Sequence, residues 1–292
     1  MVRGTPHSLP SLDVIMTVDN ALAAFEYVKA TGGQAAGLDR IRYSDISRAE
    51  VAKCFRVLLP IVLEGHYKPQ PPRLVEIAKN GGGTRELRVQ VVLDRVVARM
   101  LYEALSPFLD AMFTPSSFGF RPRLGVWDLL ANIKISAEMY GTYIITADDI
   151  RRAFDNVPVE PLLDLLGDVI TDCQFLSAVA AMIRGSESTN ETEVGIAQGN
   201  ALSPTMLNLY LHKHLDTLLD KETSLPSQNY RYADNLVSQT RDAREGERLL
   251  GCTRGLLLQA GMNLKGDPGK PIDIRSEHVD LIGFTLSVFG DD

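Results

Sequence analysis

The chain has 292 residues, 45% of them hydrophobic and 23% charged, with a net charge of −7. This is the balance of an ordinary globular protein with enough chain to bury a core in one large domain or two modest ones. No run of about 18 apolar residues suggests a membrane span, the opening "MVRGTPHSLPSLDVIM" with Pro6 and Pro10 does not read as a secretory signal, and the scattered Cys54, Cys173 and Cys252 point to a reducing cytoplasm and away from a disulfide scaffold or a zinc site.

In chain order, "SLDVIMTVDNALAAFEYVKATGG" reads as helical up to Gly32-Gly33, and the N-terminal third is expected to be mainly helical. "GHYKPQPPRLVEIAKNGGGTRELRV" reads as prolines, a strand, a turn at Gly81-Gly82-Gly83 and a second strand. "LDRVVARMLYEALSPFLDAMF" has helical periodicity up to Pro107. "TYIITADD" is a buried-strand candidate that leads to a helix from Val159. "SPTMLNLYLHKHLDTLLD" reads as a helix with Ser203-Pro204 at its start. "YRYADNLVSQT" reads as a hairpin with Ala-Asp-Asn at its tip, followed by a helix near 243–260 and a short strand pair in "IDIRSEHVDLIGFTLSVF". This order suggests an α+β fold, a sheet covered by helices on one face.

The charge is unevenly spread. Residues 51–100 hold nine Lys/Arg against four acids, whereas residues from 141 onward hold 13 basic and 23 acidic side chains. One region is therefore suited to phosphates and the other to supplying carboxylates. Asp149 and Asp234 each end a predicted strand. If those strands are neighbours, the two carboxylates converge, and hard oxygen ligands with open positions suit Mg²⁺ shared with substrate phosphates. Taken singly, either aspartate is better read as a solvated strand-end residue. His212 and His214, two apart on a predicted helix, face opposite ways and read as surface residues, not ligands.

The ordered set "SFGFRP", "ADDIRRAFDNV", "GIAQGNALSPTMLNLYLHKHLD" and "YRYADN" resembles the reverse transcriptases of bacterial group II introns. "GLDRI" at 37–41, "LDRVV" at 93–97 and "LIGF" at 281–284 extend the resemblance over about residues 20–288. It implies a right-hand polymerase with an antiparallel palm sheet backed by helices: an N-terminal extension and fingers over 1–140, a palm over 141–292, and no thumb evident, because the chain stops just past "LIGF". It also implies an RNA-directed DNA polymerase that takes an RNA template, a DNA primer and dNTPs, with two Mg²⁺ ions for which Mn²⁺ can substitute. No membrane partner is expected. A partner protein or structured RNA would complete the grip that a thumb otherwise provides.

Carried over by motif, Asp149, the backbone carbonyl of Ile150 and Asp234 correspond to metal ligands. Phe154 corresponds to the aromatic gate that excludes a 2′-hydroxyl. Gln198 and Gly199 correspond to the loop near the nascent base pair, and Lys79 and Arg85 to the basic pair that cradles the triphosphate. Arg121 is placed to touch template backbone. Lys270 is placed to protonate pyrophosphate, although "NLKGDPGKP" also offers Lys265.

Asn235 stands where the family has a second aspartate, Ala197 where it has proline, Asn200 where it has glycine, and Glu86 where it has proline. The asparagine keeps an oxygen acceptor but loses a charge, so weaker metal affinity and reduced activity are expected. Two other readings use the same residues. One is a protein-primed or template-independent polymerase. The other is a catalytically weakened scaffold that binds RNA.

Overall fold

The computed structural model describes residues 9–78, 84–185, 194–197, 199–265 and 269–288. Two compact units emerge, and both are discontinuous in sequence: residues 1–111 with 158–206, and residues 112–157 with 207–292. The sequence reading instead divides the chain linearly at 140. In the compact partition, residues 112–140 go with the main sheet and 158–206 with the N-terminal helices.

The first unit is mainly helical, as its periodicity predicts. Helices Val18–Thr31, Arg48–Leu63 and Val92–Asp110 pack together. Thr17 caps the first through Asn20 N, and Ser47 and Glu50 form a reciprocal capping box on the second. The third helix does not stop at Pro107, where the sequence reading ends it; it runs on to Asp110. Leu101, Leu105 and Leu109 lie fully buried along one face, and continuing that stripe outweighs the single backbone hydrogen bond a proline removes. Strands β1 (Arg73–Ala78) and β2 (Thr84–Val89) form the expected antiparallel hairpin, paired from Arg73↔Val89 to Ala78↔Thr84. The triglycine turn between them lies outside the described residues. Helices Val159–Gly167 and Cys173–Arg184 also belong to this unit, the latter capped by Asp172.

The second unit is built on a four-stranded antiparallel sheet in the order β4 (Gln228–Tyr232), β5 (Asn235–Thr240), β3 (Ile144–Asp149), β6 (Ile272–Asp273). A separate hairpin pairs β7 (Val279–Leu281) with β8 (Phe284–Leu286). Alternation along the strands decides what each face meets. Ile145, Val237 and Tyr230 share one face and pack with Leu129 and Ile133 of helix Val126–Tyr140 and with Val279 and Leu281. On the opposite face Thr146 meets Gly246 of helix Ala243–Gln259. Helices therefore lie on both faces, not on one as the element order suggests, and the second face is covered although small polar side chains (Thr146, Ser238, Thr240) are buried on it. Among the described residues no helix is long and apolar enough to cross a membrane.

Candidate active site at the tip of the sheet

Within the second unit, β3 and β5 are hydrogen-bonded neighbours, and their register places Asp149 directly across from Asn235. The Ile150 amide donates to the Asp234 carbonyl at 2.9 Å. Two acidic residues 85 positions apart in sequence are thereby joined through adjacent backbone, and their charges interact. The hairpin closes at Tyr232↔Asn235, so Ala233 and Asp234 alone form its loop. Ala233 has φ +59°, a conformation usually left to glycine in this kind of turn.

A buried arginine holds that turn in place. Arg231 is 2% exposed, and its guanidinium donates to Asp216 at 2.6 and 2.8 Å, to Asn208 Oδ1 at 2.7 Å, to Ser117 Oγ at 2.8 Å and to the Ala233 carbonyl at 3.0 Å. Such fork geometry is what arginine offers and lysine does not. The segment bearing "SFGF" lies along β4: Phe118 N donates to Arg231 O at 2.8 Å, and Arg231 N donates to Ser116 O at 2.9 Å. Gly119 approaches so closely that a Cβ there would lie 2.3 Å from Ala233 N, which explains a glycine at this position. Sequence reasoning overlooked Arg231, Asp216 and Gly119 as supports of the turn.

Asp216 belongs to a π-helical turn, His212–Asp216, between helices Ser203–Leu211 and Thr217–Glu222. The i,i+2 spacing does turn the two rings to different neighbours, but both are half-buried against aromatic side chains. This corrects their reading as surface residues. His212 lies against Phe113 and His214 against Tyr210, with ring centroids 5.7 and 4.4 Å apart, and burial lowers the pKa of both below the usual histidine value.

Asp234 is half-buried, and loss of hydration followed by the nearby Asp149 charge raises its carboxyl pKa. Asn235 Nδ2 donates to Asp234 Oδ1 and to the Tyr232 carbonyl, both at 3.4 Å, where a second carboxylate would add repulsion. Asp148 is turned to other partners; its Oδ1 accepts from Asp149 N at 2.7 Å and its Oδ2 from Gly269 N at 3.4 Å. Ile150 buries its side chain, so only its backbone is available for chemistry. Phe154 lies in a 3₁₀ turn, Ala153–Asn156, just after Asp149, and meets the edge of Phe120 with ring centroids 6.1 Å apart.

The lysine that reaches the carboxylates is Lys265. Its ammonium lies 2.9 Å from Asp149 Oδ2, and the hydrogen bond and charge of Asp149 raise its pKa above the ordinary lysine value. Lys270 lies 4.0 Å from Glu277 instead, with a largely exposed side chain. Arg121 is drawn inward: Nη1 donates to the carbonyls of Thr114 and Ser117 at 2.7 and 2.8 Å. Its observed role is to brace its own loop. In the first unit Gly199 has φ +107°, and a Cβ there would lie 3.0 Å from the Arg88 carbonyl of β2. Lys79, Gln198 and the side chain of Arg85 lie outside the described residues.

Two carboxylates and a backbone carbonyl at a strand edge form an oxygen donor set suited to a hard divalent ion, and the ammonium on Asp149 shows that the pair attracts positive charge. Among the described residues no third His, Cys, Asp or Glu joins them. Asn235, opposite Asp149, is where one would stand.

A family model described as reverse transcriptase (RNA-dependent DNA polymerase) matches residues 77–285. The chain belongs to the reverse transcriptase family. Reverse transcriptases use divalent metal ions, in keeping with this donor set. The chain is 26% identical over 230 residues to protein YkfC of Escherichia coli K12, covering 76% of this chain and 60% of that protein. It is 30% identical over 155 residues to the group II intron-encoded protein LtrA of Lactococcus lactis subsp. cremoris, covering 51% of this chain and 26% of LtrA. It is also 29% identical over 161 residues to a putative COX1/OXI3 intron 2 protein of Saccharomyces cerevisiae, covering 53% and 18%. The chain thus spans 60% or less of the length of these relatives. Among solved structures, a partial Cas6-RT-Cas1–Cas2 complex aligns over 85% of this chain and 42% of that chain, with 18% identity and a TM-score of 0.47.

Proposed function

We propose that this chain is the core of an RNA-directed DNA polymerase of the group II intron type, which adds dNTPs to a primer 3′ end on an RNA template. The observation that carries this reading is the β3–β5 register, which puts Asp149 beside Asp234 at the end of the two inner strands. Asp149, Asp234 and the Ile150 carbonyl are the groups we assign to two Mg²⁺ ions, with Mn²⁺ as a substitute. When bound, such ions stabilise charge on the attacking and leaving oxygens of an in-line phosphoryl transfer.

The protein's own residues do the remaining work. Arg231 holds the turn, so that Asp234 is presented without reorganisation. Phe154, supported by Phe120, excludes a 2′-hydroxyl and selects deoxynucleotides. The roles given to Lys79, Arg85, Gln198 and Gly199 in nucleotide binding, and to Lys270 in proton donation, belong to the same proposal. Each is tested by its own substitution.

Primer extension on an RNA template tests the reading. DNA synthesis with Mg²⁺ or Mn²⁺ that disappears in Asp149→Ala is expected. Absence of dNTP incorporation under both metals, with RNA binding unaffected by Asp149→Ala, would establish instead the weakened RNA-binding scaffold, a reading favoured by the Lys265 ammonium on Asp149.

A further inference from the structure

We propose that Lys265 is a built-in counter-ion of the carboxylate pair: it occupies the Asp149 oxygen that a divalent ion would take, and so sets the metal concentration at which the site fills. The inference rests on the reading of Asp149 and Asp234 as metal ligands.

The position of Lys265 is constructed, not casual. Its backbone amide donates to the Asp149 carbonyl at 2.8 Å, and Arg151 N donates to Asn263 O at 2.8 Å, with Ile150 and Leu264 bridged between them. Residues 263–265 are thus zipped along the continuation of β3, and the Lys265 side chain starts beside Asp149. The ammonium then reaches Asp149 Oδ2 at 2.9 Å and also feels the charges of Asp234 and Asp148. Lys270, the other lysine of this loop, lies beside Glu277 and has no such contact.

Charge and exposure give the pairing its consequence. Asn235 already leaves the centre one carboxylate short of an Asp-Asp turn, and the Lys265 ammonium cancels a second negative charge. The side chain is 69% exposed, so it can swing into water without leaving a buried charge behind. An exposed ion pair of this kind is weak, which makes it a competitor of a divalent ion and not a permanent block. Metal binding therefore takes the form of an exchange, ammonium out and divalent ion in. The cost of displacing the ammonium is the same for every divalent ion, so the concentration each needs to fill the site rises by one common factor.

The test is a titration of the full chain with Mn²⁺ alone, without nucleic acid or nucleotide, reading free Mn²⁺ by electron paramagnetic resonance. Wild type, Lys265→Met, Lys265→Arg and Asp149→Asn are compared. Lys265→Met is expected to bind Mn²⁺ at least about threefold more tightly than wild type, a change of the size one exposed charge produces. Lys265→Arg should stay near wild type, and Asp149→Asn should lose the binding. Affinity in Lys265→Met equal to or weaker than wild type overturns the counter-ion role while leaving the metal site standing. Absence of Asp149-dependent binding in both wild type and Lys265→Met overturns the metal reading and the inference with it. Should Lys265→Met fail to fold, Lys265→Gln is judged by the same criterion.

Discussion

Asp149 and Asn235 face each other across the β3–β5 ladder, at the place where the chain brings its two strand-end acids together. A residue at 235 is therefore part of the electrostatics of Asp149 as much as of the turn that carries it. Asn235→Asp would add a third carboxylate, lower the Mg²⁺ concentration for half-maximal primer extension by severalfold, and raise activity at low Mg²⁺. In chelator the same variant should be less stable than wild type by about 1 kcal/mol, because like charges in a partly buried cluster repel. Mg²⁺ titration of extension and a thermal melt in chelator measure the two effects. Gains in both affinity and metal-free stability would contradict this account.

The Arg231–Asp216 pair is a different kind of ion pair from the one at Lys265. Both side chains are almost wholly buried, and Arg231 also supports Ala233 in its strained turn. Arg231→Met leaves Asp216 buried without its partner and should cost about 3–5 kcal/mol, the range for breaking such pairs. Replacing both, with Asp216→Leu, should recover much of that loss. Polymerase activity should not return with it, since the Ala233 carbonyl stays unsupported. Urea unfolding alongside primer extension separates stability from positioning.

Much of this fold was legible in local pattern. Apolar periodicity marked many of the helices and alternation the strands, because those signals are carried by neighbours in sequence, although Val126–Tyr140 and Cys173–Arg184 went unread. What local pattern does not carry is which strands pair and which polar residues are buried. Arg231 alternates between Tyr230 and Tyr232 like any outward strand position. Its burial depends on Asp216, Asn208 and Ser117, brought to it from elsewhere in the chain. Lys265 is likewise one of two lysines in a short loop until the bridge at Ile150 and Leu264 selects it. The histidines were misread because the i,i+2 spacing says that they face apart but not what each faces, and Phe113 and Tyr210 half-bury them.

The same histidines make stability depend on pH. Burial holds the pKa of His212 and His214 below the ordinary value of about 6.5. As pH falls through that value the unfolded chain takes up protons that the native rings resist, so stability present above about 6.5 declines on acidification. Asp94 and Asp220, whose carboxyls are raised by burial, act in the opposite sense. The histidine contribution is therefore read by difference: His212→Gln and His214→Gln should each flatten the fall in urea midpoint between about pH 7.5 and 5.5. An unchanged slope in both variants would show that the rings protonate as freely in the native protein as in the unfolded chain.

Phe154 offers the most direct test of substrate choice. Its ring follows Asp149 by five residues and is supported edge-on by Phe120, itself held at φ +58°. Exclusion of a single hydroxyl by a bulky ring is a steric matter, so removing the ring should relax selection without removing the carboxylates. Phe154→Ala is expected to raise ribonucleotide incorporation relative to deoxynucleotide by up to roughly 10²-fold, the scale on which a pocket discriminates an added hydroxyl. Phe120→Ala should shift the ratio in the same direction by less, because it loosens the gate without opening it. The ratio of kcat/KM for rNTP and dNTP on one RNA template, measured in all three proteins, decides the matter. A ratio unchanged in Phe154→Ala would return that residue to the role of an ordinary packing aromatic.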